Sequence, residues 1–187
     1  METVERLIRS TQELLWERGY VGTSPKAIQR AAEAGQGSMY HHFAGKAELA
    51  KAAIERSGAD LREAAERQLG GDGSATERIS GYLERERDVL KGCRVGRLTA
   101  DPDVVADPEL RAPVAETFAW LRTRLAEVVA EGKRDGEYPA TLDADRTAAT
   151  IAAVLQGGYV LARAAGSTEP FELAVQGLID LLPEATK

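Results

Sequence analysis

One stretch, Thr23 to Leu49, narrows what this chain can fold into more than any other. It reads Thr-Ser-Pro-Lys-Ala-Ile-Gln-Arg-Ala-Ala-Glu-Ala-Gly-Gln-Gly-Ser-Met-Tyr-His-His-Phe-Ala-Gly-Lys-Ala-Glu-Leu. Ser24 can cap a helix, because its hydroxyl accepts an orphan backbone N–H of the first turn. Pro25 suits the first helical position, where its missing N–H is no loss. Ile28, Ala31 and Ala32 then recur at helical spacing. The Glu33–Gly37 stretch interrupts that helix, and Gly35 is expected to take the positive φ of the turn. A second, very short helix is expected over about Gly37 to His42. Helix, glycine-bearing turn and short helix together make a helix-turn-helix.

The second helix has an unusual composition. Gln36, Ser38, Tyr40, His41 and His42 crowd into one or two turns, with Met39 and Phe43 as apolar pegs. A core helix does not carry so many hydrogen-bonding tips, and a merely solvated one favours Lys and Glu. Side chains that donate and accept, on a helix opening with small residues, suit close approach to a nucleic-acid duplex. Gly37 lets backbone come near a phosphate, Gln can read a base edge in the major groove, and Tyr and Ser can hold phosphates.

The run Tyr40-His41-His42-Phe43, with Gly37 three positions before the tyrosine and Lys46 three after the phenylalanine, resembles the tetracycline-repressor (TetR/AcrR) family of bacterial one-component regulators. Gly19-Tyr20 and Thr23-Ser24, after an amphipathic first helix, extend the resemblance over about the first 50 residues. Two positions depart from the family pattern. Gln29 stands where an Ala is frequent, and the turn reads Glu33-Ala34-Gly35 where Gly, a hydrophobic residue and Ser or Thr are usual.

The resemblance implies an all-helical homodimer acting as a transcriptional regulator, foremost a repressor released from a palindromic operator by a small-molecule inducer. An activator reads the same in sequence. Gln36, Ser38 and Met39 are the expected base-edge contacts. Tyr40, His41, Lys26, Lys46 and the helix start at Ser24 are the expected phosphate contacts, with Gly37 permitting the approach. Lys46 also opposes the dipole at its own helix start, which an external phosphate would relieve. His42 is expected to pack against the first helix. In the family a cavity in the helical body takes the inducer. Tyr82, Leu83, Phe118, Trp120, Leu121, Leu155 and Tyr159 can line one here, as can Cys93, although each of these taken alone reads better as closed core.

Charge is divided unevenly over the 187 residues, whose formal net charge is −6. Through Ala52 there are seven Lys and Arg against six Asp and Glu, so the acidic excess lies in the remainder. Between Gly19 and Gly45 only Glu33 opposes Lys26 and Arg30. That mild basic bias suits two copies on one duplex better than one. The single cysteine, Cys93, excludes an intramolecular disulfide and a cysteine-based zinc site. His41 and His42 are adjacent, so on a helix they point about 100° apart and do not chelate one metal. No phosphate-cradling glycine loop or dinucleotide fingerprint is present. No cofactor and no enzymatic activity are therefore expected. The lack of a leader or of an unbroken apolar run near 18 residues points to a cytoplasmic chain with no membrane partner.

Along the chain, a first helix is expected over about Glu2 to Arg18, with Val4, Leu7, Ile8, Thr11, Leu14 and Leu15 inward and Gly19 as its stop. Tyr20 and Val21 are expected beneath the helix pair that follows. A linking helix opens at Lys46 and continues to about 69. Gly70-Gly71-Asp72-Gly73 breaks it, which divides a DNA-binding domain, 1–50, from a ligand-binding and dimerisation domain, 74–187. Ser74-Ala75-Thr76-Glu77 forms a capping box for a helix carrying Ile79, Tyr82, Leu83, Val89 and Leu90. Asp101-Pro102 and Asp107-Pro108 are further helix starts, the second opening a long helix to about Asp135. Helices at about 143–165 and 169–182 carry more apolar surface than one partner can cover, and by resemblance they would form a four-helix bundle across a two-fold axis. No strand pattern persists. The competing reading is a helical small-molecule-binding protein or enzyme with a vestigial helix-turn-helix.

Overall fold

The computed structural model describes residues 2–182, and among them every regular element is helical. In chain order these are α1 (Thr3–Arg18), α2 (Pro25–Ala31), α3 (Gln36–His42), α4 (Lys46–Leu69), α5 (Ala75–Glu84), a 3-10 turn (Gly96–Ala100), α6 (Pro102–Ala106), α7 (Pro108–Arg134), α8 (Ala144–Ala165) and α9 (Glu169–Asp180). The starts fall where local chemistry places them. Ser24 Oγ accepts the Ala27 N–H, the Ser74–Glu77 capping box closes in both directions, and Asp143 accepts the Arg146 N–H.

The chain forms two compact units, residues 1–61 with 93–117, and residues 62–92 with 118–187. The expected division was 1–50 and 74–187; residues 93–117 group with the first unit. Side-chain chemistry accounts for this. Asp101 Oδ2 accepts the backbone N–H groups of Tyr20 and Val21 at 2.7 and 3.0 Å, while its Oδ1 caps α6 through Asp103 and Val104. Arg97 donates to the Trp16 carbonyl, and Arg94 lies 4.0 Å over the Trp16 ring and pairs with Glu13. Gly19 makes the close approach possible: its φ is +72°, and a Cβ there would sit 2.7 Å from Asp101 Oδ2.

In the first unit, Leu7, Leu14, Ile28, Ala32, Met39, Phe43 and Leu49 form the core around which α1 to α4 assemble. Val4 and Ile8 are only partly buried, and Val21, expected inside, is exposed. Arg6 Nε donates to the Ala32 carbonyl, tying α1 to the end of α2. Gln12 reaches Ser57 and Asp60 on α4. At Gly58 an added Cβ would lie 2.4 Å from Thr117 Oγ, so α4 and α7 touch there backbone to side chain.

The second unit is built on Leu69, Ile79, Leu83, Leu121, Leu125, Val128, Ile151, Leu155 and Phe171, among others. Helix α5 ends at Glu84, before Val89 and Leu90, which were expected on its face; Leu90 is exposed. Helix α8 is the one helix among the described residues long and apolar enough to cross a membrane by length and composition. Its Ala, Gly, Val and Leu content does this although no unbroken apolar run exists, and two-thirds of the apolar window is not buried.

Candidate nucleic-acid interface

Helix α3 sits on the first unit by two pegs. Met39 is fully buried and Phe43 nearly so, one turn apart and facing Ile28 and Leu49. Their burial fixes the helix phase, turning Gln36, Gly37, Tyr40, His41 and His42 outward, with Ser38 half-buried. Met39 was expected at a base edge; its side chain instead lies wholly in the core, with Gln29 Nε2 3.7 Å from its sulfur, and presents nothing to DNA. His42 was expected against α1 and is exposed, its ring edge-on to His41 with centroids 4.9 Å apart.

The turn before α3 is shaped differently from the expectation. Gly35 has φ −70° and is the extended N-cap of α3, and the positive φ, +49°, belongs to Glu33. The Ala34 N–H reaches the Gln29 carbonyl at 2.9 Å, and the Glu33 N–H reaches the Arg30 carbonyl at 3.3 Å. Those two bonds make a Schellman closure of α2 with a glutamate at its left-handed position. Gly35 is needed extended one step later, so the turn places its strain on Glu33.

Lys46 stands at the start of α4 with its ammonium 3.8 Å over the Tyr20 ring. Partial burial pushes its pKa below the ordinary lysine value, against the opposing pull of Asp101 and Asp103. The Tyr20 hydroxyl is shifted the other way, first by burial and then by Asp107, Asp103 and Asp101. Tyr20 is therefore a half-buried platform for a lysine. Ser24 and Lys26 are exposed on α2, and Ala44 N–H is held by Glu48 at 2.6 Å, setting the entry to α4.

The expected ligand residues scatter. Leu121 and Leu155 are closed core, with Trp120 and Tyr159 partly buried against it. Trp120 faces the Arg62 guanidinium at 5.9 Å, and Phe118 is half-buried outside that core cluster. Cys93 belongs to the first unit, where its sulfur accepts the Gly96 N–H. Leu83 lines a cleft, and Tyr82 and Tyr159 touch side chains of its wall. The wall's arginines, Arg85 and Arg87, had no sequence signal beyond an alternating Glu-Arg-Glu-Arg that reads as a solvated surface.

A short helix with a polar outward face, seated on a three-helix support, defines a helix-turn-helix DNA-binding protein. Residues 7–53 match the family described as "Bacterial regulatory proteins, tetR family", and residues 74–178 match the "Tetracyclin repressor-like, C-terminal domain". The chain belongs to the TetR family of transcriptional regulators. It is similar to the HTH-type transcriptional repressor NemR of Escherichia coli K12, 23% identical over 181 residues that cover 93% of this chain and 90% of that one. Among solved structures it resembles a TetR transcriptional regulator from Chloroflexus aurantiacus, 28% identical with a TM-score of 0.83, covering 95% of this chain and 92% of that one. The same fold occurs in a cysteine mutant of the TetR family regulator CifR complexed with 26-base-pair operator DNA, 24% identical with a TM-score of 0.80 and 96% coverage of both chains.

Proposed function

We propose that this chain is a cytoplasmic, homodimeric repressor that holds a palindromic operator until a small molecule releases it. The observation that carries the reading is the outward face of α3: Gln36, Tyr40 and His41 exposed around a buried Met39. Each protomer places one α3 in successive major grooves. Gln36 and Ser38 meet base edges, with Gly37 allowing close approach. Tyr40, His41, Lys26, the Ser24 helix start and Lys46 meet phosphates. Lys46 arrives pre-positioned on Tyr20, and a phosphate restores the charge stabilisation that burial takes from it. Residues 1–50, with α4 continuing to 69, serve DNA, and the ligand and dimer functions belong to the 74–187 region outside the 93–117 segment. NemR is named a repressor and CifR was seen on its operator, and both namings support the reading.

The inducer acts by preferring a dimer geometry whose half-site spacing no longer fits the duplex, and its differential affinity for the two geometries sets the size of the response.

Fluorescence anisotropy on the promoter beside the protein's own gene tests this. Affinity is expected to fall steeply with salt, with a log–log slope of roughly −0.9 per phosphate neutralised. Tyr40→Ala should weaken binding to every sequence alike and leave the salt slope unchanged, because its hydroxyl donates to a phosphate without neutralising it. Gln36→Ala should relax preference at one base pair per half-site by about 1–3 kcal/mol, read by selection from random duplexes. Unchanged affinity in the Tyr40 variant removes the assigned contact face. Absence of any complex at low salt favours the vestigial alternative.

A further inference from the structure

The second unit holds a cleft that DNA contact does not use. Its volume is about 410 Å³, within the range of small-molecule sites. The floor is apolar, made by Leu83 at the end of α5, Val89 in the loop that follows, and Phe171 and Val175 on α9. Two guanidiniums, Arg85 and Arg87, enter it from that loop.

These arginines differ from Arg78 and Arg124 of the same unit and share with Arg62 a buried Nε that donates to nothing. In the same unit Arg78 pairs with Glu131 at 2.6 Å and Arg124 with Glu66 at 2.9 Å. Among the described residues neither Arg85 nor Arg87 has a carboxylate partner, and the Nε of each is buried and donates to nothing. Arg87 lies 5.5 Å from the Phe171 ring and 5.7 Å from the Tyr82 ring, and donates to the Tyr82 carbonyl. Arg85 lies 5.5 Å from the same Tyr82 ring. Phe171 is braced in turn by Tyr159, ring centroids 4.9 Å apart. Burial is the largest influence on Arg87 and works against its charge. It is opposed in part by the Tyr159 and Tyr82 hydroxyls, the first of which Arg87 also meets as a hydrogen-bond partner, but by no carboxylate. Glu84, Glu86 and Glu172 also line the cleft, but they are exposed and pair with neither guanidinium. A desolvated cation without a counter-ion is costly and is relieved when an anion arrives. A guanidinium fork matches a carboxylate, and the three exposed glutamates of the lining disfavour any more highly charged anion.

We propose that this cleft binds an organic carboxylate with an apolar or aromatic body. Arg87, assisted by Arg85, takes the carboxylate, and the body lies on Leu83, Val89, Phe171 and Val175. The proposal rests on the ligand-responsive reading above and gives that ligand its chemical class.

Titration calorimetry and thermal shift on the full chain test it, with benzoate, cinnamate and hexanoate as probes. Benzyl alcohol, cinnamyl alcohol and hexanol serve as neutral counterparts, and inorganic phosphate as the bare anion. At least one acid is expected to bind, with its alcohol and phosphate weaker by about tenfold or more. Arg87→Met should weaken that acid at least about tenfold and raise the melting temperature of the ligand-free chain, since it removes an uncompensated cation. Arg87→Lys, which keeps the charge but not the fork, should fold and bind weakly, and it carries the test if the Met variant does not fold. The proposal is overturned if no acid binds, if an alcohol or phosphate binds as tightly, or if the Arg87 variants keep full affinity. Operator binding measured on the same preparation separates the two failures. A chain that binds duplex but no acid loses only the carboxylate class, whereas a chain that binds no duplex loses the regulator reading itself.

Discussion

Glutamate at Leu161 and Leu173 together is expected to halve the molar mass seen by light scattering and to lower operator affinity by at least about a hundredfold. Both leucines are more than half exposed, as are Val160 and Leu181. Ala153, Gly157, Leu161 and Ala164 follow one face of α8, and Leu173, Gly177 and Leu181 one face of α9, all exposed. A Cβ on Gly157 or Gly177 would meet nothing within 4 Å. Nothing inside one protomer therefore calls for small residues there, whereas a second copy packing closely does. Each leucine that such an interface buries contributes about 1.5–3 kcal/mol. In a two-fold interface the same patch meets itself, so each glutamate would be buried facing like charge. The monomer's own core is untouched, and its helicity should be unchanged. The loss on DNA follows from geometry: one half-site is engaged where two were linked. A variant that stays dimeric removes α8 and α9 as the interface.

The helix starts were legible because their signals are local. Ser24-Pro25, Ser74 with Glu77, Asp101-Pro102 and Asp143 each act on amides within three residues, and the helices begin at those places. The outward chemistry of α3 was legible for a related reason, since Tyr and His in one short helix are explained neither by core nor by plain solvation. What the sequence withheld was phase and distance. Met39 read both as an apolar peg and as a base contact, and only its packing with Phe43 against Ile28 turns it inward. Gly35 was the expected positive-φ residue, yet closing α2 gives that conformation to Glu33 and capping α3 holds Gly35 extended. Arg85 and Arg87 were hidden by an unforeseen helix end, because on a continued α5 they would have been solvated charges.

Asp101→Ala is expected to cost about 3 kcal/mol, which for a chain of this size is roughly a 10 °C fall in melting temperature. One carboxylate serves four N–H groups. Those of Asp103 and Val104 open α6, a cap worth about 1 kcal/mol. Those of Tyr20 and Val21 lie about 80 residues away at the α1–α2 turn, and with Asp101 itself 9% exposed they lose their acceptor where water replaces it poorly. Asp101→Asn separates the two contributions. Asparagine caps as well as aspartate, but its amide nitrogen cannot accept from Tyr20 and Val21, so this variant should lose about 2 kcal/mol with α6 intact. Operator affinity should fall in both variants even below the melting transition, because Tyr20 carries the ring on which the Lys46 ammonium rests. Calorimetry with anisotropy on the same samples reads both effects. If Asp101→Asn melts and binds like the parent chain, the reach of Asp101 to Tyr20 contributes nothing, and the grouping of residues 93–117 with the first unit rests on its other contacts, Arg94 and Arg97 with α1, Lys51 with Glu109, and Gly58 with Thr117.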